Sequence, residues 1–266
     1  MEQHEFDKLR RVELLVSGGI EPRRDNMTGQ VVVQDNALVR SAYTMTLLEK
    51  RLLMLAISKV DACTAPARLQ PIEVVVTRDE WADLYSDSNP WRDLNAAADR
   101  LMGRVVIIHP TEKRGVRKKL NWTDSCEYHD NHVVIRFGYS LSLELAGMID
   151  EFTQADLLDV AKLDSFYAVR LFELLKQYAS TGLLTITVDE FRTIMHVADK
   201  YPRFAQLNQR VIKPAVDNIQ AKMPEMRVSV EYIKKKHSRA VTSLKFRFKR
   251  SEQRDMFNNL EQDTDW

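Results

Sequence analysis

The chain has 266 residues, 44% apolar and 29% charged, with 39 basic and 38 acidic side chains, a frame for two globular domains. No apolar run approaches the roughly 20 residues that cross a bilayer. The charged start MEQHEFDKLRR is unlike a secretory signal, and two distant cysteines, Cys63 and Cys126, form no disulfide framework and fit a reducing cytoplasm.

Residues 1–30 include Ser17-Gly18-Gly19 and a polar run to Gln30, and are expected to form a mobile arm. Thr46-x-x-Glu49 is a capping box for a helix over Leu47–Val60. Its apolar residues cover more than a zipper seam, so it is read as a core helix with Arg51 at its centre. TRDEW at 77–81 opens a short helix, and Pro90–Met102 forms a second with Trp91, Leu94, Ala98 and Leu101 facing inward. Outward it offers Arg92 and Asn95, while Asp93 and Asp99 offset its charge. An extended hairpin follows, carrying Lys113, Arg114, Arg117, Lys118 and Lys119, and the unit closes on IRF at 135–137.

The same pattern then recurs. A Leu-rich helix, Phe166–Ala179, carries a central Arg170, and TVDEF at 187–191 repeats Thr-x-Asp-Glu-aromatic. Thr187-x-x-Glu190 is read as a capping box in which each side chain satisfies the other's backbone N–H, opening a helix over Val188–Val197. A loop with Pro202, a second helix and two strand-like runs, Met226–Ile233 and Val241–Phe248, complete the copy. Self-similarity over about 110 residues argues for tandem copies of one domain. The expected fold is α+β, with two tandem winged-helix domains (each a helix-turn-helix plus a β-wing) over residues 31–139 and 140–250. The segment Leu141–Leu163 would pack between them, and 251–266 would be an acidic, disordered tail.

Function is most legible in the second copy. At 100° intervals Phe204, Leu207, Val211, Ala215 and Ile219 gather on one helix face. Arg203, Gln206, Gln209, Arg210, Lys213 and Asp217 gather on the other, a set of long donors suited to base edges and phosphates in a major groove. Asn208 falls on the inner side, and Pro214 predicts a kink. The wing tip carries Lys234, Lys235, Lys236 and Arg239. From Lys200 to Arg250 fourteen basic side chains face three acidic ones, so a nearly neutral chain is strongly polarised, as a partner of a polyanion would be. The first copy, with a charge-balanced second helix, is expected to hold the DNA backbone through the basic hairpin, read as its wing, while the second reads sequence.

Enzymatic readings fare worse. Cys126-x-x-His129-x-x-His132 has metal-ligand elements, but it straddles an Asp130-Asn131 turn and lacks a fourth ligand. No phosphate-cradling Gly-x-x-x-x-Gly-Lys-Ser/Thr is present, and His109 has no His partner for a relaxase site. Asp79-Glu80 and Asp189-Glu190 sit where carboxylates favour a helix N-terminus. The protein is read as performing no chemistry, with no catalytic or metal residues.

Five blocks carry a resemblance: NALVRSAYTMTLLEKRLLMLAI at 36–57, VTRDEWADLYSDSNPWRDLNAAADRLMG at 76–103, NWTDSCEYHDNHVVIRFGYSLSLEL at 121–145, KLDSFYAVRLFELLKQYAS at 162–180 and DKYPRFAQLNQRVIKPAVDNI at 199–219. In this order they resemble the Rep replication initiators of theta-type, iteron-containing bacterial plasmids. The resemblance implies a cytoplasmic bacterial protein without cofactors, whose monomers bind direct repeats in double-stranded plasmid origin DNA. Such proteins open an adjacent A+T-rich duplex and recruit the host initiator and the replicative helicase. It also implies a homodimer in equilibrium with the monomer, joined through the first winged helix and repressing its own gene, with host chaperones converting dimer to monomer. Strands Pro71–Val76 and Val133–Phe137 are the implied candidates for the dimer contact. A winged-helix transcriptional repressor without initiator activity is the alternative reading, and a nucleoid or partition protein a second.

Overall fold

The computed structural model describes residues 31–60, 71–85, 89–109, 116–146, 152–235 and 240–249. Two winged helices follow one another, built from the same parts. The first comprises β1 (Val31–Asp35), α1 (Asn36–Val39), α2 (Leu47–Ser58), β2 (Glu73–Thr77), α3 (Arg78–Tyr85), α4 (Pro90–Leu101), β3 (Val105–Ile108), β4 (Lys118–Asn121), β5 (Thr123–Tyr128) and β6 (His132–Phe137). After α5 (Tyr139–Ala146) come β7 (Phe152–Asp156), α6 (Leu157–Ala161), α7 (Phe166–Lys176), β8 (Leu183–Thr187), α8 (Val188–Ile194), α9 (Phe204–Leu207), a π-helical turn (Asn208–Ile212), α10 (Lys213–Lys222), β9 (Ser229–Lys234) and β10 (Val241–Arg247).

The local chemistry of the copies is parallel. Asp35 and Asp156 each accept from the backbone N–H two residues on and start α1 and α6. Thr46 and Ser165 cap α2 and α7, whose apolar residues are almost wholly buried. Antiparallel sheets of order β2-β6-β5 and β8-β10-β9 close the two units. Alternation on β2 and β8 sends Val74, Val76, Leu184 and Ile186 into the cores.

Two features depart from the sequence expectation. The basic hairpin of the first copy is not its wing. Strands β3 and β4 form a separate two-stranded sheet, fastened by reciprocal backbone hydrogen bonds between Ile107 and Ala42 (2.8 and 2.9 Å). By topology the wing of the first unit is β5–β6, which matches β9–β10. The copies are also stitched together at their first strands: β1 pairs antiparallel with β7, Val31 facing Asp156 and Asp35 facing Phe152.

The core between the copies holds charge. Lys50 of α2 and Arg170 and Glu173 of α7 are all within 1% of full burial. Lys50 Nζ donates to Glu173 Oε1 (2.7 Å) and to Tyr43 Oη (2.8 Å). Arg170 Nη1 donates to Glu173 Oε2 (3.0 Å) and Tyr43 Oη (2.8 Å), with its guanidinium 4.1 Å from the Tyr43 ring centre. Its Nη2 donates to the carbonyls of Val39 (2.9 Å) and Ser41 (2.8 Å). One carboxylate thus serves two buried cations. Glu173→Leu would leave both uncompensated and should lower unfolding stability by about 3–5 kcal/mol, while adding Lys50→Met should recover much of that loss; urea unfolding of the single and double variants measures both.

Candidate nucleic-acid interface

The helix-turn-helix of the second unit is held by side chains that sequence alone does not single out. Thr187 Oγ1 accepts from the Glu190 N–H (3.1 Å), but the reciprocal half of the predicted capping box is missing. The Glu190 carboxylate is taken instead by Arg40 at 2.5 Å. In the first unit the equivalent box is complete, Glu80 Oε2 accepting from the Thr77 N–H (2.8 Å) and Oγ1 (2.9 Å). Helix α8 stops at Ile194, short of the predicted Val197. Its stop is a left-handed residue, His196 (φ 51°), with Val197 N–H bonded to Arg192 C=O and His196 N–H to Thr193 C=O. Arg192 then locks the turn by donating to the carbonyls of Tyr201 (2.5 Å) and Pro202 (3.0 Å).

The second helix of the helix-turn-helix is α9, the π-helical turn and α10 in succession. Pro214 has no N–H, and in α-register its ring would press on the Arg210 carbonyl. The chain meets this just upstream with a wider turn, in which the Lys213 N–H reaches Asn208 C=O five residues back. The predicted kink site is thus a π-turn ahead of the proline. Leu207, Val211, Ala215 and Ile219 are buried as the periodicity requires, joined by Ile212 and Val216. Phe204 is half-buried, its ring edge-on to Tyr232 at 5.4 Å. Asn208, on the inner side as expected, accepts from Tyr232 Oη (2.8 Å) and ties the helix to β9. At the far end the Asp164 N–H donates to Asn218 Oδ1 (3.0 Å), and the Asp164 carboxylate accepts from Lys222 Nζ (2.8 Å). The Lys222 hydrogen bond holds the Asp164 carboxyl below the usual range.

Arg203, Gln206, Gln209, Arg210 and Lys213 are all exposed, and among the described residues none of these side chains makes a hydrogen bond or ion pair. Lys234 and Lys235 are exposed at the end of β9, where Lys235 N–H bonds Ala240 C=O (3.2 Å) across the hairpin. Lys236 and Arg239 lie outside the described residues. Not all of the basic excess gathers here. Arg227, Arg247 and Lys249 are exposed at the opposite end of the hairpin, since Arg247 pairs with Ser229 and Val241 with Lys234.

The first unit offers less. Arg92 Nε is engaged with Asp93 (3.0 Å), and Asn95 Nδ2 is turned back to the Trp91 carbonyl (2.8 Å). Arg117 and Lys119 are exposed and Lys118 is half-buried on the β3–β4 hairpin; Lys113 and Arg114 lie outside the described residues. The Cys126 and histidine elements do not converge. His129 and His132 stack at 4.4 Å, whereas Cys126 Sγ faces the Ala98 carbonyl (3.9 Å), its thiol pushed up to about 11 by burial and by Asp99. No helix among the described residues is long and apolar enough to cross a membrane.

Comparison with known proteins agrees with this architecture. Residues 31–176 match the family described as Initiator Replication protein, WH1, and residues 187–248 match Initiator Rep protein, WH2. A curated Escherichia coli "Replication initiation protein" is 24% identical over 242 residues, spanning 88% of this chain and 74% of its own length. Among solved structures, the Pi initiator protein in complex with iteron DNA shares the fold, with a TM-score of 0.67 at 19% identity, over 84% of this chain and 98% of that one.

The hydrogen bond from Tyr232 to Asn208 is a polar link between the wing and the second helix of the helix-turn-helix. Tyr232→Phe keeps the ring against Phe204 and should lower stability by about 1 kcal/mol in urea unfolding, with hydrogen exchange quickening around the π-turn.

Proposed function

The chain belongs to the initiator replication protein family, matching it with both winged helices, and we propose that it is a plasmid initiator that binds direct repeats in the origin as a monomer. The observation that carries this reading is the row Arg203, Gln206, Gln209, Arg210 and Lys213, five long side chains without a partner among the described residues, on a helix whose opposite face is buried. Buried against other groups they would cost desolvation; facing a duplex they meet acceptors on base edges and phosphates. Lys234, Lys235, Lys236 and Arg239 grip the neighbouring backbone. The β3–β4 hairpin adds phosphate contacts through Arg117, Lys118 and Lys119, with Lys113 and Arg114. Arg92 and Asn95, engaged within α4, contribute less than their place on a second helix suggests.

Origin opening, recruitment of the host initiator and replicative helicase, and dissociation of dimers by host chaperones complete the proposal. The dimer, which represses its own gene, forms through the first unit. Of the two implied strands, β6 is central in its sheet and paired on both sides, which leaves β2 with the open edge, and Val75 on β2 is 45% exposed. A short edge strand of β-branched residues suits antiparallel addition of a second copy.

Binding of the purified protein to fragments flanking its own gene, at about 150 mM salt, tests the reading. A preference over random duplex of about a thousandfold or more, with footprints repeating in one orientation beside A+T-rich DNA, is the expected result. A single protected palindrome would favour the repressor alternative, and tight but indiscriminate binding would overturn the initiator reading. In the same assay Arg210→Ala should cost about 1–3 kcal/mol on the cognate repeat and far less on random duplex; equal losses would assign Arg210 to phosphate.

A further inference from the structure

Arg40 leaves the first winged helix and ends in the second. Its Nη1 donates to Glu190 of α8 at 2.5 Å, and its Nη2 donates to Tyr178 Oη, just after α7, at 2.6 Å. The internal repeat provides the reference state. Glu80, the counterpart of Glu190, completes its own capping box on Thr77 and forms an ion pair with Lys59, so all its partners lie in its own copy. Aligning the helix caps Thr46 and Ser165 places Lys59 opposite Tyr178. The second copy therefore has a phenol where the first has the cation, and the missing charge comes from the other winged helix. Neighbouring bonds hold the same segment: Gln177 Nε2 donates to the Asn36 carbonyl (3.1 Å), and Arg170 Nη2 spans from the Val39 and Ser41 carbonyls (2.9 and 2.8 Å) to that of Ile194 (3.4 Å) at the end of α8.

We infer that Arg40 is a positioning residue for DNA reading, fixing the helix-turn-helix of the second unit against the first so that both meet one duplex in a set phase. This rests on the DNA-binding reading above and adds a specificity rule to it. Two contact sets on one rigid body act as a single binding event, and the gain is lost when geometry forbids both at once. The repeat should then be intolerant of inserted base pairs between the bases under α9–α10 and the phosphates under β3–β4. About half a helical turn of insertion, roughly 5 base pairs, carries one set to the opposite face of the duplex.

Two measurements test it on the full chain. In the first, spin labels at exposed Glu127 on β5 and Ala221 on α10, in a Cys63→Ser, Cys126→Ser background, report the distance between units without DNA. A narrow distribution that broadens in Arg40→Ala is expected; an unchanged one would overturn the inference. In the second, a repeat from DNA flanking the gene is compared with versions carrying one to five inserted base pairs. The parent protein should lose about tenfold or more at five, and Arg40→Ala should bind the parent repeat about tenfold more weakly while losing less than about threefold on insertion. An insertion penalty equal in both proteins would also overturn it. Glu190→Gln removes the same ion pair while keeping side-chain length, and should behave like Arg40→Ala, so misfolding of one variant does not decide the matter. Broadened label distances with no repeat preference in the parent protein would sink the initiator reading and leave the positioning role of Arg40 standing.

Discussion

The interaction on which the rest of the structure depends is the buried contact of Glu173 with Lys50 and Arg170 under the Tyr43 hydroxyl. Taking three ionised groups out of water costs several kcal/mol each, and their mutual attraction and hydrogen bonds offset this, with Arg170 Nε left without a partner among the described residues. Such a cluster discriminates between arrangements more than it adds raw stability. Slip α2 along α7 by one turn and Lys50 loses Glu173, while the Arg170–Glu173 pair within α7 stays, whereas a wholly apolar seam between Leu-rich helices would tolerate several registers. The polar cluster therefore specifies how the copies meet, and the leucines around it supply the cohesion.

The two copies that meet at that seam present two unlike surfaces. Each copy inherited the same plan of capped helix, edge strand, helix-turn-helix and hairpin. On the outward helix face of the second, Arg203, Gln206, Gln209, Arg210 and Lys213 have no side-chain partner among the described residues, while in the first comparable groups are engaged within their own helix, Arg92 with Asp93 and Asn95 with the Trp91 carbonyl. Divergence within one repeat thus leaves a helix face of exposed donors on the second unit and an internally engaged one on the first. The inserted β3–β4 hairpin, which has no counterpart in the second copy, gives the supporting unit its own basic surface.

Much of this is legible in the residues, for local reasons. Caps at Thr46 and Thr187, the apolar stripe Leu207–Val211–Ala215–Ile219 and the twin Thr-x-Asp-Glu-aromatic motifs depend only on neighbours in sequence, and the structure places them as periodicity demands. What stayed hidden depends on distant partners. Nothing in Thr187-x-x-Glu190 tells that its glutamate is claimed by Arg40, 150 residues away. Nothing in VVVQD or FTQAD tells that they pair with each other. The proline announces a disturbance in the second helix of the helix-turn-helix but not its form, because a kink and a π-turn both relieve the same clash. The basic hairpin was misassigned for a related reason: its alternation identifies strands but not the sheet they join.

The pairing of β1 with β7 has a consequence for how the protein comes into being. The strand made first finds its partner only after the whole first winged helix has been synthesised, so the first unit emerges from the ribosome with an unmatched strand and a half-assembled charged seam. Until the second copy follows, Lys50 and Tyr43 face water instead of Glu173 and Arg170. A chain cut after the first half would leave β1 without the strand it pairs with among the described residues.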